Sequence, residues 1–320
     1  MLILQGVTYA HPNRDLLFSD INLAVNRQNK IALIGNNGAG KSTLLKILAG
    51  NLHPSKGVVK AEEHPYYLPQ LFGQFNDYTV AQALRIADKL QALKAILDGQ
   101  VTDENLALLD DDWAIEERCQ EAFTHWKLEG LELTRKMETL SGGQKTKVFL
   151  AGITIHRPEI VLLDEPSNHL DGSGRSVLYD YIKSTTHTLV AVSHDRTLLN
   201  LLDTVYELGK RGITVYGGNY DFYAAQKMIE SDALNQDLKS KEKALRKAKE
   251  TEREALERQQ KLDARGKKKQ EKAGLPTISM NTFRNNAEKS TSRMKGVHAE
   301  KVEAISQELQ QLRTALPDTD

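Results

Sequence analysis

Two stretches of small residues in this chain are suited to holding anions, and they lie far apart. The first, GNNGAGKST over Gly35–Thr43, fits G-x-x-x-x-G-K-[ST], follows an apolar run and opens a helix-like segment. Gly35, Asn36, Asn37, Gly38, Ala39 and Gly40 make a loop whose backbone N–H groups can close around β- and γ-phosphates. Lys41 adds a point charge, the Ser42 hydroxyl is suited to ligating Mg²⁺, and Thr43 completes the pattern. The second stretch, Ser141-Gly142-Gly143-Gln144 within METLSGGQKTKV, is a small-residue turn running into a helix. One bound nucleotide needs one such cradle, so the second raises the question of whose phosphate it holds.

The remaining chemistry sits at the ends of apolar runs. IVLLDEP, Ile160–Pro166, finishes in two carboxylates. Asp164 is suited to holding Mg²⁺ through water, and Glu165 to polarising an attacking water. Adjacent strand residues point to opposite faces, so the pair can divide these tasks. His194, in VAVSHDR, follows another apolar run and is read as a γ-phosphate sensor rather than a structural hydrogen-bonder. Gln70, in YYLPQ, offers a neutral amide to the metal or the water. The expected catalytic groups are thus Lys41, Glu165 and His194, and the expected Mg²⁺ ligands Ser42, Gln70 and Asp164.

These residues need a frame that brings them together. KIALIG (Lys30–Gly35), EIVLLDE (Glu159–Glu165) and HTLVAVS (His187–Ser193) read as strands buried on both faces, with helical segments at Ser42–Leu48 and Ser141–Ile155. The alternation predicts an α/β core with a mostly parallel sheet, whose carboxyl edge is where ligands bind. Residues 79–139 read as a helical insertion, with helices over Thr79–Leu97 and Trp113–Leu128. The triplet Asp110-Asp111-Asp112 within it is taken as a solvated helix start, not a cation site.

After Tyr223 the composition turns charged and helical. Leu234, Leu238 and Leu245 hold one apolar spacing, Gly274 and Pro276 break the helix, and Val302, Ile305, Leu309, Leu312 and Leu316 form a short heptad seam before Pro317. Two helices with a break between them predict an antiparallel helical hairpin over 223–320, with a tip near 279–296. The tip carries Arg284, Lys289, Arg293 and Lys295.

A formal net charge of zero conceals an asymmetry, since residues 1–226 hold 22 basic and 27 acidic side chains and residues 227–320 hold 21 and 16. An acidic body therefore carries a basic arm, densest over Lys239–Lys272. Such an arm suits RNA phosphates, with Phe283 available to stack on a base, or else it is a solvated coiled coil. No apolar run approaches the ~18 residues of a membrane span, and the start MLILQGVTYAHPN lacks the features of a secretory signal. A single cysteine, Cys119, cannot make an internal disulfide and reads as a small, partly buried side chain, which fits the cytoplasm.

The phosphate loop, Gln70, LSGGQ, LLDEP, SNHLD (Ser167–Asp171) and His194 follow in an order and spacing that resemble the ATP-binding cassette (ABC) ATPases over essentially residues 1–220. The resemblance implies that two cassettes pair head to tail, so that Ser141, Gly142, Gly143 and Gln144 grip the γ-phosphate of an ATP bound to a partner's loop. It also implies an aromatic ring on the adenine from upstream of the loop: Tyr9 is favoured, and His11 fits equally well. EPSNHLD, VSHDR, YGGNYDFY (Tyr216–Tyr223) and KAGLP (Lys272–Pro276) are similar to the ABC-F group, with Ser167 where that group has threonine. Members of that group lack membrane domains and act mostly on ribosomes, reaching toward tRNA with the linker between their two cassettes.

Each motif occurs once here, so a second cassette is expected from a partner copy or from a missing C-terminal domain. Two other readings compete with a ribosomal ATPase: the ATP-binding subunit of a membrane transporter, and an inert binding module. The basic helical tail weighs against the first, and intact Lys41, Asp164, Glu165 and His194 weigh against the second.

Overall fold

The computed structural model describes residues 1–13, 15–210, 212–273, 296–297, 299–311 and 313. It divides into two compact units, Met1–Ala224 and Ala225–Asp320.

The first unit holds two sheets. An antiparallel one has strand order β2-β1-β4, with β1 at Leu2–Ala10, β2 at Leu16–Val25 and β4 at Lys56–Ala61. The other is six-stranded and contains β3 (Lys30–Ile34), β5 (Tyr66–Leu68), β6 (Ile160–Asp164), β7 (Thr188–Val192), β8 (Thr204–Gly209) and β9 (Gly212–Tyr216). Its order is β5-β6-β7-β3-β8-β9, parallel except for the β8–β9 hairpin. Every residue of β6 and of β7 is buried, as strands covered on both faces must be. Alternation along β6 divides the core: Val161 and Leu163 pack on one side of the sheet, Ile160 and Leu162 on the other.

Helices fill the connections. Helix α1 (Lys41–Leu48) follows β3 and packs its Leu44, Leu45, Ile47 and Leu48 against the core that includes the antiparallel sheet. The insertion contributes α2 (Val80–Ala83), α3 (Ala87–Leu97), α4 (Asp103–Leu109) and α5 (Ile115–His125). The helix expected over 79–97 is split, because the Leu84 carbonyl is met by the His156 ring at 2.7 Å and Arg85 turns left-handed at φ 57°. Then come α6 (Gly142–His156), α7 (Gly172–Ser184) and the short α8 (Arg196–Leu199).

Helix α9 (Tyr220–Ala273) supplies most of the second unit, together with helical residues 299–311. The two stretches meet through ion pairs of Lys241 with Glu308 and of Arg313 with Glu242, and Leu309 of the expected seam is buried. Gly274, Pro276, Phe283 and the basic tip residues Arg284, Lys289, Arg293 and Lys295 lie outside the described residues. Among the described residues, no helix is long and apolar enough to cross a membrane.

Candidate functional site

Four neighbouring parallel strands end on the same edge of the six-stranded sheet, and each delivers part of the site. β5 leads to Gln70, β6 ends at Asp164 with Glu165 next, β7 leads to His194, and β3 runs into residues 35–40. The result is a cavity of about 360 Å³. Gln70, Glu165 and His194 line it together with Asn37, Gly38, Gly40, Lys41, Ser42 and Thr43.

The loop's backbone explains its residue types. Gly40 has φ +97°, and a Cβ there would fall 2.7 Å from Leu17 Cδ2. It is also the N-cap of α1 and offers no side-chain hydrogen bond, so the first N–H groups of that helix are left for a ligand. Lys41 Nζ donates to the carbonyls of Gly35 at 2.7 Å and Asn36 at 3.2 Å, holding the loop in shape. Burial lowers the Lys41 ammonium from its usual pKa, against the opposing pull of Glu165 and Asp164.

The two carboxylates occupy different environments. Asp164 is 1% exposed and accepts hydrogen bonds from Ser42 Oγ (3.0 Å) and Tyr67 OH (3.1 Å). Burial raises its pKa even so, with both donors acting in the other direction. Glu165 has φ 52°, a left-handed conformation that costs a non-glycine residue about 1–2 kcal/mol. Its own N–H bonds the Val192 carbonyl at 2.8 Å, which ties the strained turn to β7. The Glu165 side chain receives the His194 backbone N–H at 3.2 Å, and the His194 ring Nε2 stands 3.4 Å from Glu165 Oε1. Burial pushes the Glu165 carboxyl up, while His194 opposes the shift. The chemistry available is a buried carboxylate beside an imidazole, facing a phosphate-sized cavity.

Hard oxygen donors suit Mg²⁺: one carboxylate from Asp164, one hydroxyl from Ser42 and one amide from Gln70. Among the described residues no group of three or more His, Cys, Asp or Glu side chains is arranged to hold a metal. An ion here would thus rely on phosphate oxygens as well, as Mg²⁺ commonly does in nucleotide sites.

The aromatic positions separate. Tyr9 packs into the core against Phe18, with ring centroids 6.2 Å apart, while His11 lines the cavity and Tyr9 does not. The difference follows from the pairing of β1 with β2, which sets Tyr9 opposite Phe18. Sequence reasoning also passed over Tyr67, although YYLPQ places it three residues before Gln70.

Ser141, Gly142, Gly143 and Gln144 stand apart from this cavity. Ser141 caps α6 through Gln144 N–H (3.2 Å), and the Gln144 side chain accepts the Ser141 N–H (3.0 Å). A Cβ on Gly143 would lie 2.7 Å from the His169 backbone oxygen, so glycine permits the close approach of α6 to the 167–170 turn. Ser141, Gly142 and Gln144 are exposed, and none of residues 141–144 lines the cavity.

The profile of the family described as "ABC transporter" matches residues 18–168. Tylosin resistance ATP-binding protein TlrC of Streptomyces fradiae is 36% identical over 253 residues, covering 72% of this chain and 46% of that protein. ABC transporter F family member 2 of Arabidopsis thaliana is 33% identical over 232 residues, covering 72% of this chain and 31% of that protein. This chain spans less than half the length of either relative. Among solved structures, a dimeric ATP-binding cassette, MJ0796, in a post-hydrolysis state with ADP and Pi, matches with TM-score 0.54 at 20% identity. That match covers 68% of this chain and 98% of the other, and at this identity it establishes the fold. The chain belongs to the ATP-binding cassette ATPases, and its curated relatives include members of the ABC-F group.

Proposed function

We propose that this chain binds ATP with Mg²⁺, hydrolyses it to ADP and phosphate, and works on ribosomes in the cytoplasm as an ABC-F type translation factor or ribosome-protection protein. The observation that carries the chemistry is Glu165, held in a strained turn within 3.4 Å of the His194 ring and facing the same cavity as Lys41 and Ser42.

In this reading the N–H groups of residues 35–43 and the Lys41 ammonium bind the phosphates. Mg²⁺, held by Ser42, Asp164 and Gln70, would screen the phosphate charge. Glu165 orients a water and accepts its proton as the water oxygen bonds the γ-phosphorus and ADP leaves. His194 senses the γ-phosphate and holds the Glu165 carboxylate through its backbone N–H. Residues 141–144 of a second cassette, from a partner copy or a further domain, close over the γ-phosphate. Their exposure at the start of α6, outside the cavity, supports that division of labour.

The adenine rests on His11. Replacing His11 with Ala is expected to weaken ATP binding about tenfold, within the ~1–3 kcal/mol of base stacking. Tyr9→Ala should instead lower the melting temperature, because it removes a half-buried ring packed against the core. Calorimetric titration and thermal melting separate the two.

The basic stretch of α9 supports the ribosomal part, since neutralising RNA phosphates gives affinity that falls with salt. The test is co-sedimentation of Glu165→Gln with ribosomes in Mg·ATP at low and moderate salt, beside Lys41→Ala. Pelleting that requires ATP, weakens with salt and fails with Lys41→Ala is the expected result. A chain that dimerises with ATP, ignores ribosomes and pellets with membranes would overturn the translation reading in favour of a transporter subunit.

A further inference from the structure

We propose that Tyr67 is a positioning residue for the metal-binding carboxylate, clamping the second oxygen of Asp164 so that its plane is fixed before the nucleotide arrives. The inference rests on the reading of Asp164 as a Mg²⁺ ligand.

A carboxylate 1% exposed has little access to water and must find donors within the protein. Ser42 Oγ donates to Oδ1 at 3.0 Å, and Tyr67 OH donates to Oδ2 at 3.1 Å. The Ser42 hydroxyl has one proton and two lone pairs, so it can keep donating to Oδ1 while a lone pair faces a metal. With Ser42 alone, the carboxylate is free to pivot about Oδ1. Tyr67 removes that freedom and leaves the remaining lone pairs of the carboxylate, beside the Ser42 hydroxyl, for a metal.

The register explains how a tyrosine reaches this place. β5 pairs in parallel with β6, with Tyr67 opposite Leu162 and Leu68 opposite Leu163. Asp164 lies two residues beyond Leu162, on the same face, at the diagonal distance that a long aromatic side chain spans. Tyr66, one residue earlier, points to the other face, where its hydroxyl donates to the Phe149 carbonyl of α6 at 2.7 Å. Two adjacent tyrosines thus make similar hydrogen bonds, one to the metal-binding carboxylate and one to a helix backbone. Tyr66 is a control built into the same strand.

Tyr67 also joins two parts of the site. Gln70 is three residues further along the same strand exit and lines the cavity. A shift of β5 along β6 would therefore move the amide and the carboxylate clamp together.

The experiment measures the dissociation constant of a non-hydrolysable ATP analogue for the full chain, once with Mn²⁺ and once with EDTA. The ratio of the two constants is the metal's contribution to binding. Variants are Tyr67→Phe, Tyr66→Phe and Asp164→Asn. Phenylalanine keeps the ring packing, so the variants fold, which melting curves verify. Tyr67→Phe should shrink the metal's contribution about tenfold, at the low end of the effect of outer-shell partners, with binding in EDTA unchanged. Tyr66→Phe should lower the melting temperature and leave the ratio alone. If Asp164→Asn shrinks the ratio and Tyr67→Phe does not, the clamp is refuted while the metal role stands. If Tyr67→Phe weakens binding equally in Mn²⁺ and EDTA, its role is structural and the proposal fails. If Asp164→Asn leaves the ratio at its wild-type value, the assignment of Asp164 to the metal falls first, and the clamp with it.

Discussion

Glu165→Gln is expected to slow ATP hydrolysis by about 10²- to 10⁴-fold, or ~3–5 kcal/mol in the barrier, with ATP affinity retained. The size follows from what the amide keeps and what it loses. Its oxygen still accepts the His194 backbone N–H that now reaches Glu165 at 3.2 Å, so the side chain remains in place. The amide has almost no basicity, so the attacking water keeps its proton until late in the reaction. Nor does the change disturb the phosphate cradle, because Lys41 bonds the carbonyls of Gly35 and Asn36 rather than Glu165. Phosphate release under single-turnover conditions, beside an ATP titration, checks both halves. A rate within tenfold of wild type would place the general base elsewhere.

Much of the site is legible in the sequence. β3, β6 and β7 could be read from short apolar runs because a strand covered on both faces has no polar side to hide it. The groups at their ends follow from the rule that parallel strands present one carboxyl edge. The antiparallel sheet was not foreseen. In β1 the alternation is interrupted at Gly6, φ +59°, where the register with both neighbours shifts between residues 4 and 8. A broken period of two carries no signal over so short a run.

Long-range contacts were illegible for a different reason. The split of the first insertion helix depends on His156, 72 residues beyond the Leu84 carbonyl it meets. That His11 and not Tyr9 lines the cavity depends on where β1 ends and on Phe18 opposite Tyr9, and two aromatic rings two residues apart look alike in sequence. Tyr67 is legible as a strand residue, yet its hydrogen bond needs the register of β5 against β6. The loop proposed to hold phosphate by backbone geometry is local in sequence and can be read. Those that orient other side chains are set by tertiary pairing.

If the exposed cradle on α6 serves a partner's nucleotide, two inactive variants should restore each other. Lys41→Ala removes the ammonium that would meet the phosphates but leaves residues 141–144 intact. The complementary variant must spoil the cradle without unfolding α6, and the glycines differ in this. A side chain on Gly143 meets the His169 backbone oxygen at 2.7 Å, whereas one on Gly142 meets the His169 ring at 3.3 Å, which can turn aside. Aspartate at Gly142 sits in the first turn of a 15-residue helix, where negative charge favours the helix dipole. There it would repel an incoming γ-phosphate while the fold survives. Each variant alone should lack ATPase activity. Mixed in equal amounts, half the dimers formed at random pair one of each, and every such dimer has one intact loop facing one intact cradle, so roughly a quarter of the wild-type rate should return. Recovery on mixing is hard to explain by contamination or by residual activity, since neither depends on the second variant. No recovery, with both variants folded and Gly142→Asp still binding ATP, would mean that copies of this chain do not complete each other's sites, and that the opposing cradle belongs to a different cassette.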